Sequence, residues 1–239
     1  MSKRIKVQGL QRWVEVRHHS KAQRLTLRIN PTQRIVTVTM PMGCDHEQAV
    51  KFLSNHVDWI RDRLTKIPTA VPFVNGSTLN LRGEHHSIVF TNSKAEGPKV
   101  VAQVLNRGAR ELHVGNDAVS APNILRTWLI SQARQDLTDR VEFYTLSLGL
   151  NANKISVRDP TSRWGSCSCN GNLSFSWRLV MAPPQILDYV VAHEVAHLAE
   201  MNHGPRFWNL VSKICPHMDR AKHWLQVHGI DLHRYGAEN

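Results

Sequence analysis

Fifteen residues constrain this chain more than any other stretch: Tyr189-Val-Val-Ala-His193-Glu194-Val-Ala-His197-Leu-Ala-Glu-Met-Asn-His203. Apolar residues at Ile186, Leu187, Val190, Val191, Val195, Leu198 and Met201 make this a helix that is apolar almost all round, and therefore buried. Burying two histidines and a glutamate in it costs several kcal/mol unless something binds them. His193 and His197 are four residues apart, so on a helix both rings can reach one metal ion. Glu194 can lie beside a water on that metal rather than on the metal itself, as a general base does. A third ligand is wanted, and His203 is available. On an unbroken helix His203 would lie about 15 Å along the axis from His193 and point elsewhere. The helix must therefore stop between His197 and His203. Asn202 tolerates a left-handed cap, Gly204-Pro205 blocks continuation, and Pro205 suits the first turn of a new helix near Arg206-Phe207-Trp208.

The His193-to-His203 spacing matches the metzincin pattern H-E-x-x-H-x-x-G-x-x-H, but Glu200 stands at the glycine position, which argues against that group. Four stretches resemble the YgjP-like metallopeptidase family instead: Ser162-Arg-Trp-Gly-Ser-Cys167, Leu179-Val-Met-Ala-Pro-Pro184, Asp188-Tyr-Val-Val-Ala-His-Glu-Val-Ala-His197 and Asn202-His-Gly-Pro-Arg-Phe-Trp208. The last is also similar to the H-G-x-x-F-W piece of SprT-like proteases, whose histidine is the third zinc ligand. The resemblance is strongest over about 155–228. It implies a zinc-dependent hydrolase holding one Zn2+ through His193, His197 and His203, with Glu194 as base. The order strand, strand, strand, metal helix resembles the zincin plan, in which an edge strand binds peptide by strand addition. Asn172–Arg178 is the expected edge, with Asn172, Ser174 and Ser176 as substrate-binding residues.

The fold class expected is α+β: an antiparallel, β-rich N-terminal part with one helix over 1–116, then a zincin-like part over 117–239. Strands read at 13–17, 24–29, 34–40, 78–82, 86–91, 99–105, 110–114 and 154–158. Asn75-Gly76, Glu96-Gly97-Pro98 and Asn106-Arg107-Gly108 mark turns. Asp45 and Gln48 form a capping box for a helix running to about Lys66, and Ser120-Ala-Pro122 opens a long helix ended by Gly149. Asn170-Gly171 signals a type I′ hairpin whose core face is Leu173, Phe175 and Trp177. Two short helices follow at about 205–214 and 218–228. Adjacent His85-His86 point to opposite faces of a strand, and Cys167-x-Cys169 has no second pair at finger spacing, so neither reads as a metal site.

Charge is unevenly placed. The net charge is +11, and residues 1–116 hold 18 Lys+Arg against 8 Asp+Glu. A basic region of this kind attracts a polyanion, nucleic acid or nucleotide. The opening Met-Ser-Lys-Arg-Ile-Lys has no apolar signal region, no run is long enough to span a membrane, and the four cysteines read as reduced thiols. A cytoplasmic protein without a membrane partner is expected.

A zinc peptidase acting on peptide or protein substrates is the leading expectation. Arg163 is the first choice for the donor that stabilises the oxyanion, ahead of Ser166, Arg206, His217, His223 and Tyr235. Arg163-Trp164 has a plainer reading too, tryptophan as core and arginine as a clamp on a carboxylate. Two rival activities use the same centre: a zinc-dependent nucleotide phosphoanhydride hydrolase, and a SprT-like protease acting on nucleic-acid-bound proteins.

Overall fold

The computed structural model describes residues 3–91, 99–105, 108–115 and 119–237, so the turn expected at 96–98 and part of that at 106–108 lie outside it. The chain is α+β and divides into two compact units, Val71–Gly236 and Met1–Ala70 with Ala237–Asn239. That division falls at 70/71, not at 116/117.

In the N-terminal unit, β1 (Lys3–Ile5), β2 (Val14–His18), β3 (Thr26–Asn30) and β4 (Ile35–Met40) form a sheet in the order β1-β2-β4-β3. The sheet is mixed: β2 and β4 run parallel, where antiparallel strands were expected. The β3–β4 hairpin turns on Asn30, whose side-chain oxygen accepts from the amides of Thr32 and Gln33. Period-2 alternation puts Ile5, Val14, Val16, Val36, Val38 and Met40 on one face, against Ala49, Leu53 and Ile60. Those three belong to α1 (His46–Ser54) and α2 (Val57–Thr65). The Asp45–Gln48 capping box is present, but the single expected helix breaks at Asn55-His56. His56 Nδ1 donates to the Phe52 carbonyl at 2.7 Å.

In the larger unit, β5 (Thr78–Leu81), β6 (Glu84–Thr91), β7 (Lys99–Val104) and β8 (Arg110–Gly115) form a second sheet, in the order β5-β6-β8-β7. Its apolar residues Leu79, Leu81, Ile88, Leu112 and Val114 share one core with Leu125, Leu129, Ala133, Leu137 and Val141 of α3 (Ala121–Leu148). That shared core draws 71–115 into the same unit as the metal helix. Arg82 and Gly83 both have positive φ (50° and 81°), so the β5–β6 connection is the two-residue I′ turn. Arg82 then grips α3 through both carboxylate oxygens of Asp136, at 2.8 and 2.7 Å. As expected, α3 ends at Gly149, which adopts the left-handed conformation.

After α3 come β9 (Lys154–Arg158), β10 (Gly165–Cys167), β11 (Asn172–Ser176) and a 3₁₀ turn over Trp177–Met181. Then follow α4 (Pro184–Ala196), α5 (Pro205–Ile214), α6 (Met218–His228) and a last 3₁₀ turn over Gly229–Arg234. The β10–β11 turn has one residue at positive φ, Gly171, so it is not type I′. No helix among the described residues is long and apolar enough to cross a membrane.

A single buried charge joins these last elements. Arg178 is 0% exposed. Its Nε and Nη2 donate to the two oxygens of Asp159 at 2.7 and 3.1 Å, and its Nη1 donates to the carbonyls of Leu232 and Tyr235, each at 2.9 Å. The guanidinium also lies 4.7 Å from the Trp177 ring centroid. The clamp on a carboxylate considered for Arg163 is thus made by Arg178. Burial pushes the Asp159 carboxyl up, but Arg178, Trp177 and Arg126 outweigh it and hold the group below its ordinary value. Burial, aided by the Arg178 charge, depresses the neighbouring His233 to about 4.

Replacing Asp159 by Asn leaves the Arg178 charge uncompensated, and unfolding in urea is expected to show a loss of about 3–5 kcal/mol. The pH dependence follows in sign. His233 stays neutral when folded while the unfolded chain takes up its proton below about 6.5, so stability falls from there toward 4. The Asp159 contribution is complete above about pH 4 and is lost as pH drops through its lower folded value. Stability that stays flat from pH 6.5 to 4 would remove His233 from this account.

Candidate active site

Pro183-Pro184 starts α4, and the helix stops at Ala196 with His197 as its cap, earlier than the Asn202 region expected. The chain then turns back, and Gly204, in extended conformation, leads into α5 with Pro205 in its first turn. This reversal brings His203 to the other two histidines. His203 Nε2 stands 3.1 Å from His193 Nε2 and 3.1 Å from His197 Nε2. Phe207, fully buried on the first turn of α5, packs against all three rings, with centroids at 4.9, 4.4 and 4.7 Å. Trp208 stacks on His203 at 5.6 Å.

The donor set fits a metal ion. His197 Nδ1 lies 3.0 Å from the Glu200 carbonyl, which can only accept; the ring proton is therefore on Nδ1, and Nε2 presents a lone pair. Burial lowers the pKa of His193 to about 4, with His197, His203 and Lys222 adding to it, and burial lowers that of His197 as well. Both rings are therefore neutral at physiological pH, the form that ligates. Nitrogens about 2.0–2.1 Å from a zinc stand roughly 3.3 Å apart in a tetrahedron, close to the spacing found. One ring proton on His203 Nε2 could bridge one of these pairs, but it cannot satisfy both; a shared cation would take all three lone pairs at once.

Glu194 is 6% exposed. Burial pushes its carboxyl up to about 7, opposed by the charge of Arg163 and by a hydrogen bond from the Cys167 amide. The carboxyl sits against Gly165, where an added Cβ would come within 2.5 Å of Glu194 Cγ. Gly165 and Cys167 thus make the wall beside Glu194. The family-like stretch Ser162–Cys167 contains both without giving either a role, although an isolated glycine in a strand is itself a signal of close approach.

The substrate edge expected at Asn172, Ser174 and Ser176 is corrected. β11 is the central strand, antiparallel to β10 and parallel to β9, so it has no free edge. Ser176 is fully buried and its Oγ accepts from the Arg178 amide. The strand at 154–158, read as a separate element, fills the place assumed open. The sheet's two edges are β10 and β9, and β10 is the one that lies against Glu194. Ser176 N–H donates to Trp164 O and Ser168 N–H to Asn172 O, so by the two-residue period Ser166 pairs inward and Gly165 and Cys167 turn outward.

The oxyanion candidates separate. Arg163 is exposed and its charge acts on Glu194. Ser166 pairs with Ser174 inside the sheet. Arg206 and His223 are exposed on α5 and α6. Tyr235 is buried, its backbone bridged to Val71 and its carbonyl accepting from Arg178. His217 belongs to another cluster, with its Nε2 3.0 Å from the Gln185 carbonyl, 3.3 Å from Asp188 and 3.4 Å from Cys215 Sγ. Asp188 also accepts from Arg140 and from Tyr144. His85 is exposed and His86 buried, on opposite faces of β6 as expected.

Residues 23–228 match the family described as YgjP-like, metallopeptidase domain. Among solved structures, the metallopeptidase zymogen of Pyrococcus abyssi abylysin is 23% identical, with a TM-score of 0.36, covering 41% of this chain and 97% of that chain. The zymogen of Methanocaldococcus jannaschii jannalysin is 22% identical, with a TM-score of 0.33, covering 38% and 96%. No curated protein matches the chain.

If the three Nε2 atoms share one ion, elemental analysis should find one tightly bound zinc per chain, and His203→Ala should lose it on dialysis. Full retention of tight zinc by that variant would take His203 out of the ligand set.

Proposed function

The chain belongs to the YgjP-like metallopeptidase family, and from that premise we propose that it is a zinc-dependent peptidase with Glu194 as its general base. One observation carries this reading: three imidazole nitrogens converge beside a buried carboxylate that lies against the open edge of a strand. A zinc ion bound by His193, His197 and His203 would polarise the scissile carbonyl and lower the pKa of a water toward neutrality.

The chain's own groups do the rest. Glu194 takes a proton from the attacking water and returns it to the departing amine. Its carboxyl, raised by burial and steadied by the Cys167 amide, is suited to exchange protons near neutral pH. Arg163, the cation acting on Glu194, is assigned to the developing oxyanion. The outward carbonyls of Gly165 and Cys167 on β10 bind an extended peptide by strand addition. This edge favours peptides over nucleotides, because main-chain pairing has no counterpart in a phosphoanhydride. The four cysteines are all unpaired, which suits a reducing, cytoplasmic setting.

Glu194→Gln is expected to keep zinc and to lose casein hydrolysis by about 10²–10⁴-fold. Loss of zinc from that variant would make Glu194 a ligand or a support. Gly165→Ala should also keep zinc while depressing turnover, because its methyl displaces the carboxylate; unchanged turnover would take Gly165 out of the wall. Nucleoside triphosphates assayed beside casein decide between reactions, and zinc-dependent phosphate release without peptide cleavage would overturn the peptidase reading.

A further inference from the structure

One face of the N-terminal sheet is packed on α1 and α2, and the other carries a row of cations. In register across the strands stand Arg4, Glu15, Thr37 and Arg28. By the period-2 rule Lys6, Trp13, Arg17 and Thr26 share that face. Glu15 is the only carboxylate on these four strands. It is shared by Arg17, at 2.8 Å, and Arg4, at 3.9 Å. Among the described residues, Lys6, Arg12 and Arg28 are exposed and no acidic partner is found for them. Residues 1–70 with 237–239 hold 13 Lys+Arg against 6 Asp+Glu, so the unit as a whole is cationic.

A groove opens at one corner of this face. It has a volume of about 300 Å³ and is lined by Arg4, Arg12, Arg34 and Trp13, with Glu15 as its one carboxylate. It adjoins a larger cavity of about 710 Å³ that shares Gln11 and Arg12 and is bounded by Arg61. Trp13 is 56% exposed, although burying a tryptophan is strongly favourable. Arg34 has a left-handed φ of 55°, its Nη2 donates to the Pro68 carbonyl at 2.5 Å, and its Nε is buried without a hydrogen-bond partner. A left-handed arginine and an exposed indole therefore border one groove rich in cations.

We propose that this face binds single-stranded nucleic acid. Arginine guanidinium groups match phosphate oxygens in two-point contacts. The Trp13 ring offers a stacking surface to an unpaired base, which a duplex does not expose and an acidic peptide lacks. The sheet is about 14 Å wide at roughly 4.8 Å per strand step, enough for a strand to cross from the Trp13 corner to Arg28. This binding is separate from the histidine centre and does not depend on its chemistry.

The full-length zinc-loaded protein is titrated into fluorescein-labelled 12-nucleotide single strands of DNA and of RNA, followed by anisotropy, with the matching duplex and polyglutamate as competitors. Single strands are expected to bind with a log–log salt slope of about −2 to −3, as three or four phosphate contacts give at about 0.7 each. Trp13→Ala should weaken single-strand binding about tenfold with the slope unchanged. Arg12→Gln with Arg28→Gln should flatten the slope by about 1.4. Both variants should keep the parent's thermal midpoint and casein turnover, because all three side chains are exposed. A higher affinity for RNA or for DNA would name the source. No binding at low salt would overturn the proposal. So would duplex or polyglutamate competing as well as the single strand, or affinity indifferent to Trp13, because either makes the face an unselective cationic surface.

Discussion

The buried guanidinium of Arg178 is the interaction on which the catalytic unit hangs. Charges are seldom fully buried, and this one is tolerated because carboxylate and carbonyl oxygens occupy its donors. Those acceptors come from places far apart in sequence: Asp159 just after β9, and Leu232 and Tyr235 at the end of the chain. The clamp thereby fixes the C-terminal 3₁₀ turn against the strands. From that turn His233 lies 5.2 Å from the Trp164 ring, and Gly229 leaves just enough room for the same indole. Trp164 is followed by Gly165, whose backbone walls the Glu194 carboxylate. A clamp on the C-terminal turn thus bears, through Trp164, on the strand beside Glu194.

The histidine centre rests on a different constraint, the ending of α4. Were the helix to continue by one more turn, His203 would be carried along the axis instead of back across it. Its reversal lets Phe207 lie against three imidazoles at once, so one apolar ring sets the positions of three polar ones. Burial lowers the pKa of His193 and raises that of Glu194, so low polarity by itself prepares neutral nitrogens and a carboxyl near neutrality.

Several sequence expectations failed for reasons that share a cause. Alternation in Asn172–Ser176 indicated a strand with Leu173 and Phe175 buried, but Ser176, expected to face away, is buried too, and Trp177 opens a 3₁₀ turn. The alternation carried no information about neighbours, and β9 pairs along the edge assumed free. Asn170-Gly171 has the composition of a type I′ turn, yet the conformation appears at Arg82-Gly83, which no such pattern marks. The break between α1 and α2 has no proline or glycine to announce it. The boundary at 116/117 followed the change in charge balance, whereas compactness follows apolar packing, and Leu79, Ile88 and Leu112 pack on α3.

What the sequence determined by itself was local and periodic. The H-E-x-x-H spacing puts two rings on one helix face, Asp45 with Gln48 caps a helix, Gly149 ends another, and Gly204-Pro205 starts a third. Each follows from dihedral preference or from the 3.6-residue repeat, which act over a few residues. Only the tertiary structure decided which strand keeps an open edge, which arginine is buried, and that a glycine and an amide from β10 wall the carboxylate. Those are outcomes of packing among segments distant in the chain, and residue spacing along a sequence carries no record of which segments will meet.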